Sequence, residues 1–369
     1  MRFAWMLVTV LMSADMALAA PVVGGVSGTV ADGGAITITG SGFGAGPAVK
    51  LFDDFEGGSA GDAIPLTSPK VGQWSSASHE PVYDGNSHSG ATGCRIYDGD
   101  TQRQFRLSFG GDYTEVFFSF WVRVPNGTCF PGNGEGGTDL EPGEFSFDSS
   151  WKFTWLFNDN GCIGDGLFDC CMPTHIGLHG SFLLAGNDGN YKYLPSPSAW
   201  WSWTSWMRMT FWTRGLPGNG RAFWQTVSAE HGQALANYST PVFVNSSHPD
   251  GFDQNCFDAI HFPGWLRSGS GANVRPVYDD IYVALGANAQ ARVELGDAAQ
   301  YAQCRNLALC TPTSWTTGSI KATVRAGSFG AGDPIYVFVV DKDGNASAGR
   351  QVQLGAGPPL APGGLQVRE

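Results

Sequence analysis

Charged side chains are scarce in this 369-residue chain, where Asp, Glu, Lys and Arg together make up 15% of the residues. Basic residues are the scarcer sign, 21 against 33 acidic ones, and the net charge of -12 argues against nucleic acid or anionic membrane surfaces as partners. Beyond the first 20 residues no run approaches the roughly 18 apolar residues that a membrane helix needs, so no membrane insertion is expected. Neither C-x-x-C nor H-E-x-x-H occurs, which removes the usual sequence signatures of zinc ribbons and zinc peptidases. The one G-x-S-x-G match, around Ser59, sits in a Gly-rich loop without the strand-to-helix turn that a nucleophile elbow requires.

Glycine, by contrast, is abundant at 52 residues, and 13% of the chain is aromatic. Apolar runs are short and split by Gly, Asn, Asp and Ser, which is the texture of an all-β protein with many turns. At the start, Arg2 precedes an apolar stretch from Phe3 to Met12, and Ala17 and Ala19 flank Leu18 in a small-residue cleavage pattern. Residues 1–20 read as a secretory signal peptide, and a secreted or periplasmic location is expected. Eight cysteines, an even number on an exported chain, are expected to serve disulfides, with Cys304 and Cys310 as the first pair.

The two ends of the mature chain share a pattern. "VSGTVADGGAITITGSGFG" (26–44) supplies two short strands and a glycine corner, too little to bury a core, while residues 314–349 supply Trp315, "SIKATV" and a hairpin around "DKDGN". Joined, they resemble an IPT/TIG-type immunoglobulin-like domain, discontinuous over 21–51 and 311–355, followed by a Pro/Gly tail at 356–369. The alternative is a pair of β-edges on one larger sandwich. The readings separate on whether Ile36 and Ile38 share a core with Ile320 and Val337.

Residues 52–300 open with "DDFEGG", continue through "SWMRMTFWTRGLPGNGRAFWQTV" and close with "VYDDIYV". In that order these segments resemble the concanavalin A-like jelly roll of lectins, glucanases and several polysaccharide lyases. The fold class expected is therefore all-β: a concanavalin-like jelly-roll sandwich plus a smaller discontinuous immunoglobulin-like sandwich.

Strand alternation sorts the side chains, because neighbours on a strand point to opposite faces. In "VFFSFWVRV" Phe118, Phe120, Val122 and Val124 make an apolar face, leaving Ser119, Trp121 and Arg123 opposite. In "SWMRMTFW" Met207, Met209 and Phe211 are the core set, with Trp206, Arg208, Thr210 and Trp212 opposite. His175 and His179 share one face of "THIGLHGSF", and Lys152, Thr154 and Leu156 form the more polar side of "SWKFTWLF".

The resemblance implies a groove on one sheet where Trp rings stack on sugars, and cations in that groove imply an anionic polysaccharide as partner. The chemistry to match is β-elimination from a uronate. Arg123 or Arg208 would neutralise the carboxylate, His175 or His179 would act as base, Tyr191 or Tyr193 would protonate the leaving oxygen, and Lys152 is a further cation. Trp121, Trp206 and Trp212 are the stacking candidates; Trp200, Trp201, Trp203 and Trp206 would equally suit a hydrophobic seam between the two domains, and Arg123 and Arg208 would equally pair with nearby acids.

Two absences weigh on the resemblance. The E-x-D-x-x-E strand of the glucanases is missing, and so is the Q-[IV]-H strand of jelly-roll alginate lyases, to which "THIGLH" is a loose analogue. Concanavalin-like sandwiches often hold calcium between first and last strands, which implies Asp54, Glu56 and Asp280 as oxygen ligands of a structural Ca2+. A polysaccharide lyase is the first expectation for the whole. A non-catalytic lectin-like or adhesion module is the second.

Overall fold

The computed structural model describes residues 20–95, 97–98, 101–102, 104–123, 151–157, 172–176, 182–185, 191–194, 206–216, 220–229, 233–238, 244–245, 257–262, 265–266 and 277–355. Residues 1–19, residues 356–369, Val124, His179 and five of the eight cysteines lie outside the described residues. Among the described residues no helix is long and apolar enough to cross a membrane.

Twenty-six strands follow one another among the described residues. The first eight are β1 (Val22–Gly28), β2 (Ala35–Ser41), β3 (Ala48–Asp53), β4 (Ser76–Ser78), β5 (Val82–Asp84), β6 (Gly93–Arg95), β7 (Tyr97–Asp98) and β8 (Thr101–Gln102). Next come β9 (Gln104–Tyr113), β10 (Glu115–Arg123), β11 (Trp151–Phe157), β12 (Met172–Ile176), β13 (Phe182–Ala185), β14 (Tyr191–Leu194), β15 (Met207–Leu216), β16 (Gly220–Ala229), β17 (Gln233–Tyr238) and β18 (Val244–Asn245). The last are β19 (Phe257–Phe262), β20 (Trp265–Leu266), β21 (Val277–Leu285), β22 (Arg292–Gly296), β23 (Leu307–Trp315), β24 (Ser319–Thr323), β25 (Pro334–Val340) and β26 (Arg350–Gln353).

Two large sheets make the jelly roll. Nine strands run in the order β17-β16-β15-β10-β21-β6-β5, with β18 beside β16 and β3 beside β21. Eight run β14-β13-β12-β11-β19-β9-β4, with β20 beside β11. Between them lies a core built as the alternation predicts: Phe118, Phe120, Val122, Met209 and Phe211 from one sheet meet Phe105, Leu107, Ile260 and Phe262 from the other. Phe118 stacks on Phe211 at 4.9 Å, and Phe262 meets Phe120 edge-on at 5.6 Å, the offset and T-shaped geometries that aromatic quadrupoles prefer. On β11 the expectation reverses. Thr154 and Leu156, assigned to the polar side, are fully buried, and a register shift between Lys152 and Thr154 breaks the strand's period.

Seven strands form the smaller sandwich in the order β1-β2-β24-β23-β22-β25-β26. N-terminal and C-terminal segments meet directly: β2 pairs with β24 so that Ile38 lies opposite Ile320 and Ile36 opposite Ala322. Ile36, Ile38, Ile320 and Val337 lie in one buried cluster. The glycine corner after β2 has a steric basis. Gly42 (φ 74°) and Gly44 (φ 66°) occupy the left-handed region, and a methyl on Gly40 would run into the carbonyl oxygen of Val22 and the ring of Phe43. Strand β22, which the sequence pattern groups with the jelly roll, instead pairs with β23 and β25 of the smaller sandwich.

The expected Cys304–Cys310 disulfide is absent: both are buried free thiols. Cys310 points into the small core with Val293 and Ile320, whereas Cys304 packs with Leu307 and Phe338 in a separate cluster. Burial pushes both thiols up to about 12, so neither is a thiolate at neutral pH.

Candidate functional site

The expected constellation is divided between the two sheets. Arg123, Arg208, Trp121, Trp206 and Trp212 belong to the nine-stranded sheet or its approach, whereas Lys152, His175, Tyr191 and Tyr193 belong to the eight-stranded one. Sheets packed face to face stand about 10 Å apart with the core between them, so their outer faces look in opposite directions. One groove does not serve both sets.

Alternation grouped Ser119, Trp121, Trp206, Arg208, Thr210 and Trp212 on the non-core face, and the structure agrees, but that face is covered. Trp212 packs with Phe52, Phe117 and Tyr282 against Leu309 of β23. Trp121 stacks on the imidazole of His88 with ring centroids 3.6 Å apart, and Trp206 meets the same ring edge-on. Arg208 donates from Nε to Ser119 Oγ at 2.9 Å and from Nη2 to Glu294 Oε1 at 2.7 Å. All four are at most 5% exposed, so none is placed to stack on a sugar or to reach a uronate. Arg123 ends β10 half-buried on the same sheet.

The other set is brought together by backbone register. Lys152 of β11 lies opposite His175 of β12, His175 opposite Leu183 of β13, and Leu183 opposite Tyr193 of β14. A single cross-strand row thus holds Lys152, His175 and Tyr193, with strands about 4.8 Å apart. Tyr191 is offset from that row, opposite Ala185. On the other side of β11, Lys152 lies opposite Trp265 of β20.

A second row crosses the same sheet: Trp155 of β11, His261 of β19, Arg106 of β9 and Ser76 of β4. Because Phe105, Leu107, Ile260 and Phe262 are fully buried in the core, Gln104, Arg106, Ser108 and His261 are the outward residues of β9 and β19, each half-buried. Arg106 Nε donates to Ser108 Oγ at 3.4 Å. Arg106 and His261 were not singled out from the sequence. The signal was there in "QFRLSF" and "FDAIHF", where a cation and an imidazole sit between apolar residues of the right parity.

The three acidic residues proposed for calcium line one cavity of about 260 Å³ at the junction of the sandwiches, with Asp32, Arg325 and Phe329 of the smaller one. Their oxygens are occupied otherwise. Glu56 accepts from the amides of Ala91 and Thr92 at 2.8 and 3.0 Å, Asp280 Oδ1 from Ser89 Oγ at 3.1 Å, and Asp54 lies 3.5 Å from Lys70 Nζ. Burial raises the Asp54 carboxyl above its ordinary range, with Asp280 adding to the rise and Lys70 opposing it; burial likewise raises Glu56, against the pull of the Thr92 and Ala91 amides. Among the described residues no group of three or more His, Cys, Asp or Glu side chains is drawn together as a metal centre.

Fold and sheet order define an all-β protein of jelly-roll type with a second, smaller sandwich. No family model and no curated protein matches the sequence. Among solved structures, the marine PL-14 alginate lyase from Aplysia kurodai is 13% identical over 65% of this chain and 100% of its own, with a TM-score of 0.39. The endo-β-1,4-glucuronan lyase of the fungus Trichoderma reesei is 13% identical over 62% of this chain and 96% of its own, with a TM-score of 0.31. The Ca2+/Man3GlcNAc-bound exoplasmic/lumenal domain of VIP36 is 10% identical over 56% and 82%, with a TM-score of 0.26.

Proposed function

We propose that this chain is a secreted polysaccharide lyase that cleaves a uronate-containing glycan by β-elimination on its eight-stranded sheet. The observation that carries the reading is the cross-strand row of Lys152, His175 and Tyr193, beside the row that holds Arg106 and His261. Residues opposite one another in antiparallel strands share a face, which supports reading the row as one set of base, acid and cation.

The roles follow from the chemistry. A cation at the uronate carboxylate stabilises the negative charge that builds there as the neighbouring C–H is broken, and Lys152, one strand from His175, takes this part from Arg123 and Arg208. His175 removes the proton from that carbon. The electron pair forms the new C=C bond as the glycosidic C–O bond breaks, and Tyr193 gives its proton to the departing oxygen. Water is not consumed, and the product carries an unsaturated, ultraviolet-absorbing sugar at its new end.

The test is incubation of the purified protein with a panel of uronate polysaccharides while ultraviolet absorbance of the unsaturated product is followed. A rise with at least one polymer is expected. No rise with any of them, together with retention by one in affinity electrophoresis, overturns elimination and leaves a lectin-like binding role.

A further inference from the structure

Three charged side chains sit in the seam between the sandwiches, where almost no water reaches them: Arg208 of β15 is 3% exposed, and Arg292 and Glu294 of β22 are 5% and 0% exposed. Glu294 Oε1 accepts from Arg208 Nη2 and from Arg292 Nε, both at 2.7 Å. Arg292 also donates from Nη2 to Tyr301 Oη at 2.9 Å, and its guanidinium lies 4.8 Å from the ring centroid of Phe117 across the seam. The same seam holds an apolar cluster that includes Phe117: Phe52, Trp212 and Tyr282 on one side, Leu309 on the other.

The chain crosses this seam twice, between β2 and β3 and between β21 and β22, the second time with only the six residues 286–291 as a connection. Two sandwiches tethered so closely need little affinity to stay together, because their effective concentration is already high. Orientation is what remains to be specified. Apolar contact is non-directional, so a patch of aromatic rings tolerates rotation and sliding. Buried charges do not: any pose that separates Arg208 from Glu294 leaves the Arg208 guanidinium with Ser119 Oγ but no counter-charge, and Glu294 with Arg292 alone, at a cost well above that of an imperfect apolar fit.

We propose that the Arg208–Glu294–Arg292 triad is an orientation key: it selects the single pose in which the smaller sandwich closes the outer face of the nine-stranded sheet, rather than supplying the strength of the contact. Buried ion pairs exchanged for apolar side chains of similar volume are often neutral in stability, whereas removal of one partner is costly. The two kinds of change therefore give opposite results if the triad is a key.

Two variants and two measurements test this. Glu294→Gln leaves two buried guanidinium groups without a counter-charge, while the triple variant Arg208→Met, Arg292→Met, Glu294→Leu replaces the whole triad by apolar groups. Thermal unfolding is read by calorimetry, and docking by hydrogen exchange of the Ala289 and Ala291 amides, which are held only by short turn bonds to Gly286 and Asn288 in fully buried positions of the connection. Glu294→Gln is expected to lower the midpoint by roughly 5–10 °C. The triple variant is expected within roughly 3 °C of wild type, but with exchange at Ala289 and Ala291 at least tenfold faster. A triple variant with wild-type exchange means the triad does not set the pose. One that unfolds, or falls as far as Glu294→Gln, makes the triad a source of strength. An unchanged midpoint in Glu294→Gln also overturns the proposal.

Discussion

Ile38 and Ile320 are 282 positions apart in sequence, face one another across β2 and β24, and are both fully buried, so they offer a quantitative test of the split sandwich. Truncating either to Ala removes three methyl or methylene groups. At about 0.8 kcal/mol each the transfer loss is about 2.4 kcal/mol, and the cavity left in a close-packed core brings a single substitution to about 3–4 kcal/mol. Directly opposed residues in an antiparallel pair have Cβ atoms about 5 Å apart, so each substitution already removes part of what the other would remove. The double variant should cost less than the sum of the singles by about 1 kcal/mol. Ile38 paired with Phe120 is the control, because Phe120 belongs to the jelly-roll core and the two should add. The assay is urea unfolding of all corners of both cycles, compared at equal m-value so that each reports the same transition. If Ile38 and Ile320 add to within about 0.3 kcal/mol, the two segments do not share a core, and the discontinuous domain is wrong.

Three further outcomes follow from the site and seam. Burial alone would raise the Glu294 carboxyl, but Arg208 and then Arg292 hold it down to about 2, below the ordinary 4.5; its stabilisation is therefore complete above about pH 4.5 and lost as pH falls toward 2. The difference in unfolding free energy between wild type and Glu294→Gln should shrink by about 3 kcal/mol between pH 6 and pH 2, and a constant gap refutes the assignment. Asp53 is pushed up to about 6 by burial, against hydrogen bonds from Trp74 Nε1, Ser68 Oγ and the Phe55 amide. Trp74→Phe removes the first of these donors, raises the carboxyl further, and should cost about 2–3 kcal/mol at pH 8 but less at pH 5, where Asp53 is protonated with or without Trp74. In the elimination assay, Lys152→Ala and Tyr193→Phe should each lower kcat by roughly 10²–10⁴ with little change in retention on the polymer, and unaltered turnover in both removes that row from the chemistry.

Periodicity reached as far as a single strand or hairpin can. Phe118, Phe120, Met209 and Phe211 were legible because a strand with one face in a core must alternate, and "VFFSFWVRV" does so without interruption. Strand β11 was misread because its pattern is apolar on both sides and a bulge near Lys152 shifts the parity, so aromatic content favoured the wrong set. The Arg208 and Trp212 placements failed for a different reason. The sequence assigned their face correctly, but whether a face meets water or another domain depends on contacts with β22 and β23, some 80 to 100 residues later. Cys304 and Cys310 illustrate the same limit: a short spacing suggests a pair, yet the strand that carries Cys310 turns it into one core while Cys304 packs in another.

The covered face also narrows where a polymer can bind. A jelly roll has two outer sheet faces, and in a free-standing one either is available to a ligand. Here the smaller sandwich, assembled from the two ends of the chain, lies on the nine-stranded sheet and buries its Trp and Arg residues. The half-buried polar row of Gln104, Arg106 and Ser108, with His261 beside it, lies on the eight-stranded sheet, the opposite one. An aromatic and cationic face packed against a second domain is consumed by folding. On the proposed reading an anionic chain would meet the opposite sheet, and for that reason Arg106, not Arg208, is the arginine to substitute first.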